Sequence, residues 1–278
     1  IRDWYINLFT DRLVKFNLDG LKLDFIDDFE LADNSSEFNE GMDIPVLGQA
    51  VAKLVNDISS KLREIKNDVL IEYRQKYIGP LMQKNCNIFR VQDCSYGAFY
   101  NRINGITLRL FCPKNAVQTD MIMWDKEASP EAVADQLSAS IFLVPQISMK
   151  LDDINEKHKK VLKYYLDFID ENMNILQFGK FVPLHPESYY PVCYAYKGNK
   201  MISVLYEMNS FKIDKNIDDF VLINASGDNN IFVEINNLLL NKKYLITNCM
   251  GEIKEKGVIV NKLNSFEIPH NGFLYINR

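Results

Sequence analysis

The chain has 278 residues, 47% of them hydrophobic, enough to bury a large core in one big domain or two ordinary ones. Its 32 basic and 37 acidic residues leave a net charge of -5, and no Lys/Arg run or interleaving of aromatic and basic residues marks a surface for nucleic acid. The longest apolar stretches, such as residues 141–145, fall far short of the roughly 20 residues a spanning helix needs, so neither nucleic acid nor a membrane is expected as a partner.

Residues 3–17 carry Tyr5, Phe9, Leu13 and Phe16 at helical spacing, and residues 17–20 break the pattern. A strand is expected next, over residues 21–26. Leu21, Leu23 and Phe25 alternate there with Lys22, Asp24 and Ile26, which puts a lysine and a carboxylate on one face of what reads as a buried strand. After a polar loop over residues 27–40, residues 46–66 place Leu47, Val51, Leu54, Ile58, Leu62 and Ile65 on one helical stripe. A second strand, residues 68–74, is apolar first and polar at its end, with Glu72 and Arg74 there.

The unit then repeats. A short segment at residues 80–85 precedes a third strand, 86–94, that ends in charge at Arg90 and Asp93, and a helix over 99–111 has Gly105 as its weak point. The fourth strand, 116–124, carries Asp120 and Trp124. Ser129, Pro130 and Glu131 supply the cap, first-turn proline and early acid of a helix that runs to about residue 140. A fifth strand is expected at 141–148, and a last amphipathic helix at 153–173 turns Ile154, Val161, Leu162, Tyr165 and Ile169 inward.

Strands alternating with helices predict parallel βα units, here five of them. A closed (β/α)8 TIM barrel takes about 250 residues. The fold expected of residues 1–177 is therefore α/β and a partial TIM barrel, the last five βα units, with its first and last strands at open edges where self-association is possible. From residue 178 no helical stripe returns. Short β-branched and aromatic runs at 190–196, 201–207, 219–224, 231–235, 243–248, 257–260 and 272–276 alternate with turn signals, so residues 178–278 are expected to form an antiparallel β-sandwich domain, with a hairpin connection at 228–230.

Cys86, Cys94, Cys112, Cys193 and Cys249 form no CxxC pair, and with three histidines no metal-ligand spacing arises. No metal and no cofactor are expected, and idle thiols favour a reducing compartment such as the cytoplasm. The chain opens on Ile1 rather than methionine, so the native N-terminus is expected to be missing and the lack of a leader carries no weight.

The chemistry concentrates in four acids at the carboxyl ends of consecutive strands, Asp24, Glu72, Asp93 and Asp120. On a barrel those ends converge on one cavity, the geometry that two-carboxylate chemistry needs. Leu21-Lys22-Leu23-Asp24-Phe25 resembles the Lys-x-Asp strand of clan D glycoside hydrolases, the α-galactosidase families 27 and 36, and Arg90-Val91-Gln92-Asp93 is similar to their Arg-x-x-Asp motif. The resemblance covers roughly residues 1–175. It implies a retaining hydrolase of α-galactosides or related α-glycosides in which Asp24 is the nucleophile and Asp93 the general acid/base. Lys22 and Arg90 would bind sugar hydroxyls, as would Glu72 and Asp120 on the same rim, and Trp124 would wall the sugar face. An oligosaccharide or glycoside is the implied partner.

Two departures stand out. Family members usually carry Ser-Asp-Asp or Ser-Asp-Asn around the acid/base, where this chain has Gln92 and Cys94 beside Asp93, and a lone Gly79 replaces the Gly-rich, Arg-containing stretch of many family 36 enzymes. Asp27 and Asp28 follow the nucleophile as loop residues or further substrate ligands. The alternatives are a barrel aldolase using Lys22 as a Schiff base, and a non-catalytic carbohydrate-binding fragment.

Overall fold

The computed structural model describes residues 1–26, 28–30, 41–74, 78–94 and 97–277. Asp27, Gln75 and most of the loop at 27–40 lie outside the described residues. The chain forms two compact units, Ile1–Gln92 with Thr107–Gln118, and Asp93–Ile106 with Thr119–Arg278.

In the first unit, α1 (Arg2–Lys15) leads into β1 (Gly20–Leu23), α2 (Leu47–Ile65) into β2 (Leu70–Tyr73), and α3 (Pro80–Gln83) into β3 (Ile88–Arg90). These strands pair in parallel with one another and with the start of β4 (Ala116–Ile122), in a five-stranded sheet of order β1-β2-β3-β4-β5, where β5 is Val144–Ile147. Among the described residues this sheet is open, with β1 and β5 at its ends. Val55, Ile58 and Leu62 of α2 pack with Leu13, Leu23, Ile71, Tyr73 and Phe89 into the unit's core.

Two expectations change here. The buried stripe of α2 is centred on Val55 and Ser59 as well as Val51, Ile58 and Leu62, while Ile65 is exposed. The opening strand is shorter than expected and is not buried throughout. It stops at Leu23, Lys22 is exposed along it, and Phe25 lies outside it with φ 56° and its ring in solvent.

In the second unit, α4 (Ala98–Phe111) contributes its first turns, and Gly105 lies against Leu143 so closely that a Cβ there would fall 2.1 Å from a leucine methyl. That approach explains why the helix carries a glycine mid-length rather than breaking at it. The Ser129 hydroxyl caps α5 (Pro130–Ala139) by accepting from the Ala132 amide at 3.2 Å, and Asn155 caps α6 (Glu156–Leu176) through the His158 amide at 3.0 Å.

Beyond α6 come β6 (Lys180–Leu184), β7 (Val192–Lys197), β8 (Lys200–Leu205), β9 (Ser210–Lys212), β10 (Asp219–Asn224), β11 (Asn230–Glu234), β12 (Lys243–Thr247), β13 (Ile253–Val258), β14 (Leu263–Glu267) and β15 (Gly272–Ile276). They make a seven-stranded sheet of order β13-β12-β15-β10-β8-β7-β6 and a three-stranded sheet of order β14-β11-β9. One face of the larger sheet shares a core with the smaller sheet through Tyr194, Phe220, Leu222, Phe211, Ile231 and Val233. Its other face meets the helices, where Tyr165 and Phe168 of α6 lie edge-on to Phe273 at 5.2 and 5.0 Å. Full burial of a ring such as Phe273 contributes about 2–3 kcal/mol.

The strands are not all antiparallel, because β10 runs parallel to β8 and β11 parallel to β9. Nor is 228–230 a hairpin. β10 and β11 belong to different sheets, and the Asn224 amide fixes the crossing by donating to the Asp228 and Ile268 carbonyls at 2.7 and 2.8 Å.

Candidate active site

The pairing of β1 with β2 places Lys22 directly opposite Glu72, and the two strands end one residue before Asp24 and Arg74. Arg74 Nε donates to Asp24 Oδ1 at 2.8 Å, the Phe25 amide donates to the same oxygen at 3.0 Å, and Lys22 Nζ stands 3.7 Å from Oδ2. Lys22 is also 3.9 Å from Glu72 Oε1, so one ammonium serves two carboxylates.

Phe25 pays for this turn in backbone strain. A φ of 56° is unfavourable for an aromatic residue, and its ring lies 5.1 Å from the Arg74 guanidinium that braces Asp24. Beside these groups opens a cleft of about 370 Å³, lined by Tyr5, Phe9, Lys22, Asp24, Phe25 and Phe29.

The two acids are tuned in opposite directions. Burial is the largest single influence on Asp24 and would raise its pKa, but Arg74, the Phe25 amide and Lys22 together outweigh it and hold the carboxyl below its ordinary value. Glu72 is raised, because burial outweighs the pull of Lys22 and Arg90, and the Asp24 charge adds to the rise. Two neighbouring carboxyls whose surroundings push their pKa values apart are a common signature of acid and base work. Arg90 is buried, two residues beyond the Ile88 that pairs with Glu72.

In the second unit, Asp93 is exposed on the loop after β3. The loop is anchored one residue on, where the Cys94 amide donates to Asp120 Oδ2 at 2.5 Å. Asn101 of α4 completes the brace, since its Oδ1 accepts from the Asp120 amide at 2.9 Å and from the Cys94 thiol at 3.4 Å. Its side-chain nitrogen is buried without a partner.

The surroundings of Asp120 and Trp124 correct the roles expected of them. Asp120 is fully buried and its Oδ2 accepts from the Cys94 amide, so its carboxylate is not exposed at the rim in this structure. Trp124 is a core residue whose indole Nε1 donates to His158 Nδ1 at 3.2 Å, while His158 Nε2 donates to the Ala128 carbonyl at 2.8 Å. Asp28 is exposed and lines the cleft beside Asp24.

Sequence reasoning missed Arg74 as the anchor of Asp24, and Asn101. For Arg74 the signal was its place one residue past a strand end, matching that of Asp24. For Asn101, a buried amide inside a helix, there was none. Among the described residues no group of three or more His, Cys, Asp or Glu could hold a metal ion, and no helix is long and apolar enough to cross a membrane.

No protein-family model and no curated protein matches the sequence. Solved structures do. A variant of the GH27 β-L-arabinopyranosidase from Geobacillus stearothermophilus, in complex with arabinose, aligns over 100% of this chain and 62% of its own, at 12% identity and TM-score 0.58. A variant of the GH36 α-galactosidase AgaA from the same organism, in complex with raffinose, aligns over 99% and 38%, at 10% identity and TM-score 0.58. The fold is that of GH27 and GH36 glycoside hydrolases.

It is not confined to them, since an Anoxybacillus α-amylase aligns over 99% of this chain and 62% of its own, at 8% identity and the same TM-score of 0.58. The chain spans about six-tenths of the length of the GH27 protein and under four-tenths of the GH36 one. Asp24 directly follows β1, Glu72 lies near the carboxyl end of β2, and Asp93 follows β3.

Proposed function

We infer that this chain carries the two-carboxylate machinery of a retaining glycoside hydrolase acting on α-galactosides or related α-glycosides. The observation that carries the reading is Asp24, held ionised at the end of β1 by Arg74, the Phe25 amide and Lys22, beside an open cleft. An ionised carboxylate in a fixed orientation is what attack on an anomeric carbon requires. Asp24 forms the glycosyl ester as the leaving group departs, and Asp93 gives that oxygen its proton. Asp93 then takes a proton from water, whose oxygen attacks the anomeric carbon as the bond from that carbon to the Asp24 carboxylate breaks and frees Asp24. Lys22 and Arg90 hold hydroxyls, as does Glu72, whose pKa burial raises.

The aldolase alternative is disfavoured by the surroundings of Lys22. A Schiff-base lysine is activated by an apolar pocket or a neighbouring cation, whereas Lys22 is flanked by two carboxylates.

The test uses the longest natural form of the protein with an aryl α-galactoside, following the anomeric configuration of released sugar by NMR. Retention, with turnover lost in Asp24→Ala and Asp93→Ala, is expected. Wild-type turnover in both variants rejects the mechanism, and inversion rejects Asp24 as nucleophile.

A further inference from the structure

Phe99 and Tyr100 open the first turn of α4, directly after the Asp93 loop, and both rings face solvent, 43% and 64% exposed. Tyr189, between β6 and β7, joins them at 60% exposure, and its ring meets that of Phe99 edge-on at 5.7 Å. Three large aromatic side chains left this open, within one cluster, form a surface that water covers poorly.

The cluster is built to be held in place. Arg102, one turn along α4 and only 6% exposed, lies beneath it, with its guanidinium carbon 5.1 Å from the Phe99 ring centre and 4.2 Å from that of Tyr206. Its Nη2 donates to Glu207 Oε1 at 3.0 Å and to the Tyr189 carbonyl at 3.5 Å. Tyr189 and Tyr190 both have φ 56°, as does His185 at the start of the same turn, so the backbone that presents the Tyr189 ring adopts a conformation that non-glycine residues rarely take.

The margin of the cluster is polar and rich in acceptors. Glu207 belongs also to an open groove of about 620 Å³ whose lining includes Asn209, Ser226 and Asp228. A cluster of exposed aromatic rings set edge to face, with carboxylates at its margin, matches a pyranose ring, which offers a C–H face to stack on a single aromatic ring and hydroxyls to donate at its edge.

We propose that Phe99, Tyr100 and Tyr189, with Glu207 at their border, form a stacking platform for a pyranose of the leaving group of an oligosaccharide substrate. The assignment to the leaving-group side rests on the hydrolase reading. Tyr100 packs against Gly97, where a Cβ would stand 3.2 Å from its ring, and Gly97 closes the loop that carries Asp93 by donating to the Cys94 carbonyl at 3.0 Å. The platform is thus continuous with the loop of the residue assigned to protonate the departing oxygen.

The test is calorimetric titration of raffinose and of galactose into Asp24→Ala protein, repeated with Tyr189→Ala, with Tyr100→Ala and, as a control, with Phe178→Ala, whose exposed ring is outside the cluster. Raffinose affinity is expected to fall about tenfold in each tyrosine variant, with galactose affinity and the Phe178 control unchanged. Using two tyrosine variants guards against one that folds poorly. Raffinose affinity within twofold of the parent in both, or no raffinose binding by the parent, overturns the platform. Unchanged raffinose binding in a protein that retains Asp24-dependent hydrolysis rejects the platform and leaves the hydrolase. Tyrosine-dependent binding in a protein that hydrolyses no glycoside supports the platform as a sugar-binding surface and rejects the hydrolase.

Discussion

Asp24 is held by two cations and a backbone amide while Glu72, across one strand pair, is pushed the other way. Asp24→Ala is expected to lower kcat about a thousandfold or more, with added azide restoring part of it by taking the carboxylate's place, measured as initial rates on an aryl glycoside. Arg74→Ala removes the donor at 2.8 Å, so the Asp24 pKa rises. In the proposed mechanism Asp24 attacks only when ionised, so the acidic limb of the kcat/KM profile should move to higher pH, and a limb that stays in place would show that another group sets it. Lys22 and Asp24 were legible in the sequence because strand alternation puts them on one face. Arg74 gave only its place past a strand end, since its contact with Asp24 depends on the register of two parallel strands distant in sequence. Asp120 looked like a site residue for the same reason as Asp24, and only its burial reveals that it serves the backbone.

Elements were legible where local chemistry is strong. Ser129, Pro130 and Glu131 announced α5, and the turn signals marked the strands of the second half. Which strands pair was not legible, because Asp228 and its neighbours make an equally good turn within a sheet or between two. The strands β6, β9 and β14 were missed because each lacks a β-branched run. At this scale the brace between α4 and β4 makes a specific prediction. Asp120→Asn weakens the charge-assisted bond to Cys94 and should cost about 1.5–3 kcal/mol in denaturant unfolding. By loosening the Asp93 loop it should also lower kcat by about tenfold or more, more than it changes KM. Gly105→Ala gains about 1 kcal/mol in helix propensity but drives a methyl into Leu143, for a net loss of about 1 kcal/mol and a fall of about 2–4 °C in Tm by calorimetry.

Across the molecule, stability should respond to pH through His270. Its Nε2 lies 2.7 Å from Asp135 of α5 and its Nδ1 2.7 Å from the Ser226 carbonyl, in a network that includes Asn271 and the nearby Glu131. The bond to Asp135 is the main cause of a pKa raised above 6.5, against the opposing effect of burial. A raised histidine stabilises the fold fully below its unfolded value and loses that contribution as pH rises through the folded value. Tm should therefore decline with rising pH across that window, and His270→Asn should flatten the decline. An equal slope in the variant would assign the effect elsewhere. The alternation of strands and helices, and its end after α6, were readable in the sequence. The division into two compact units was not, since the boundary at Gln92 and Asp93 falls within a single βα unit.

The thiols bear on how the Asp93 loop could be watched at work. Cys193 is buried, and burial pushes Cys86 and Cys249 up to about 12 and Cys112 to about 11, which keeps them from reacting as thiolates near neutral pH. Cys94 alone is part-exposed, and it sits one residue from Asp93. A maleimide dye added to the native protein should settle there without removing the other four, which makes the wild-type chain its own fluorescent reporter of the loop that carries Asp93.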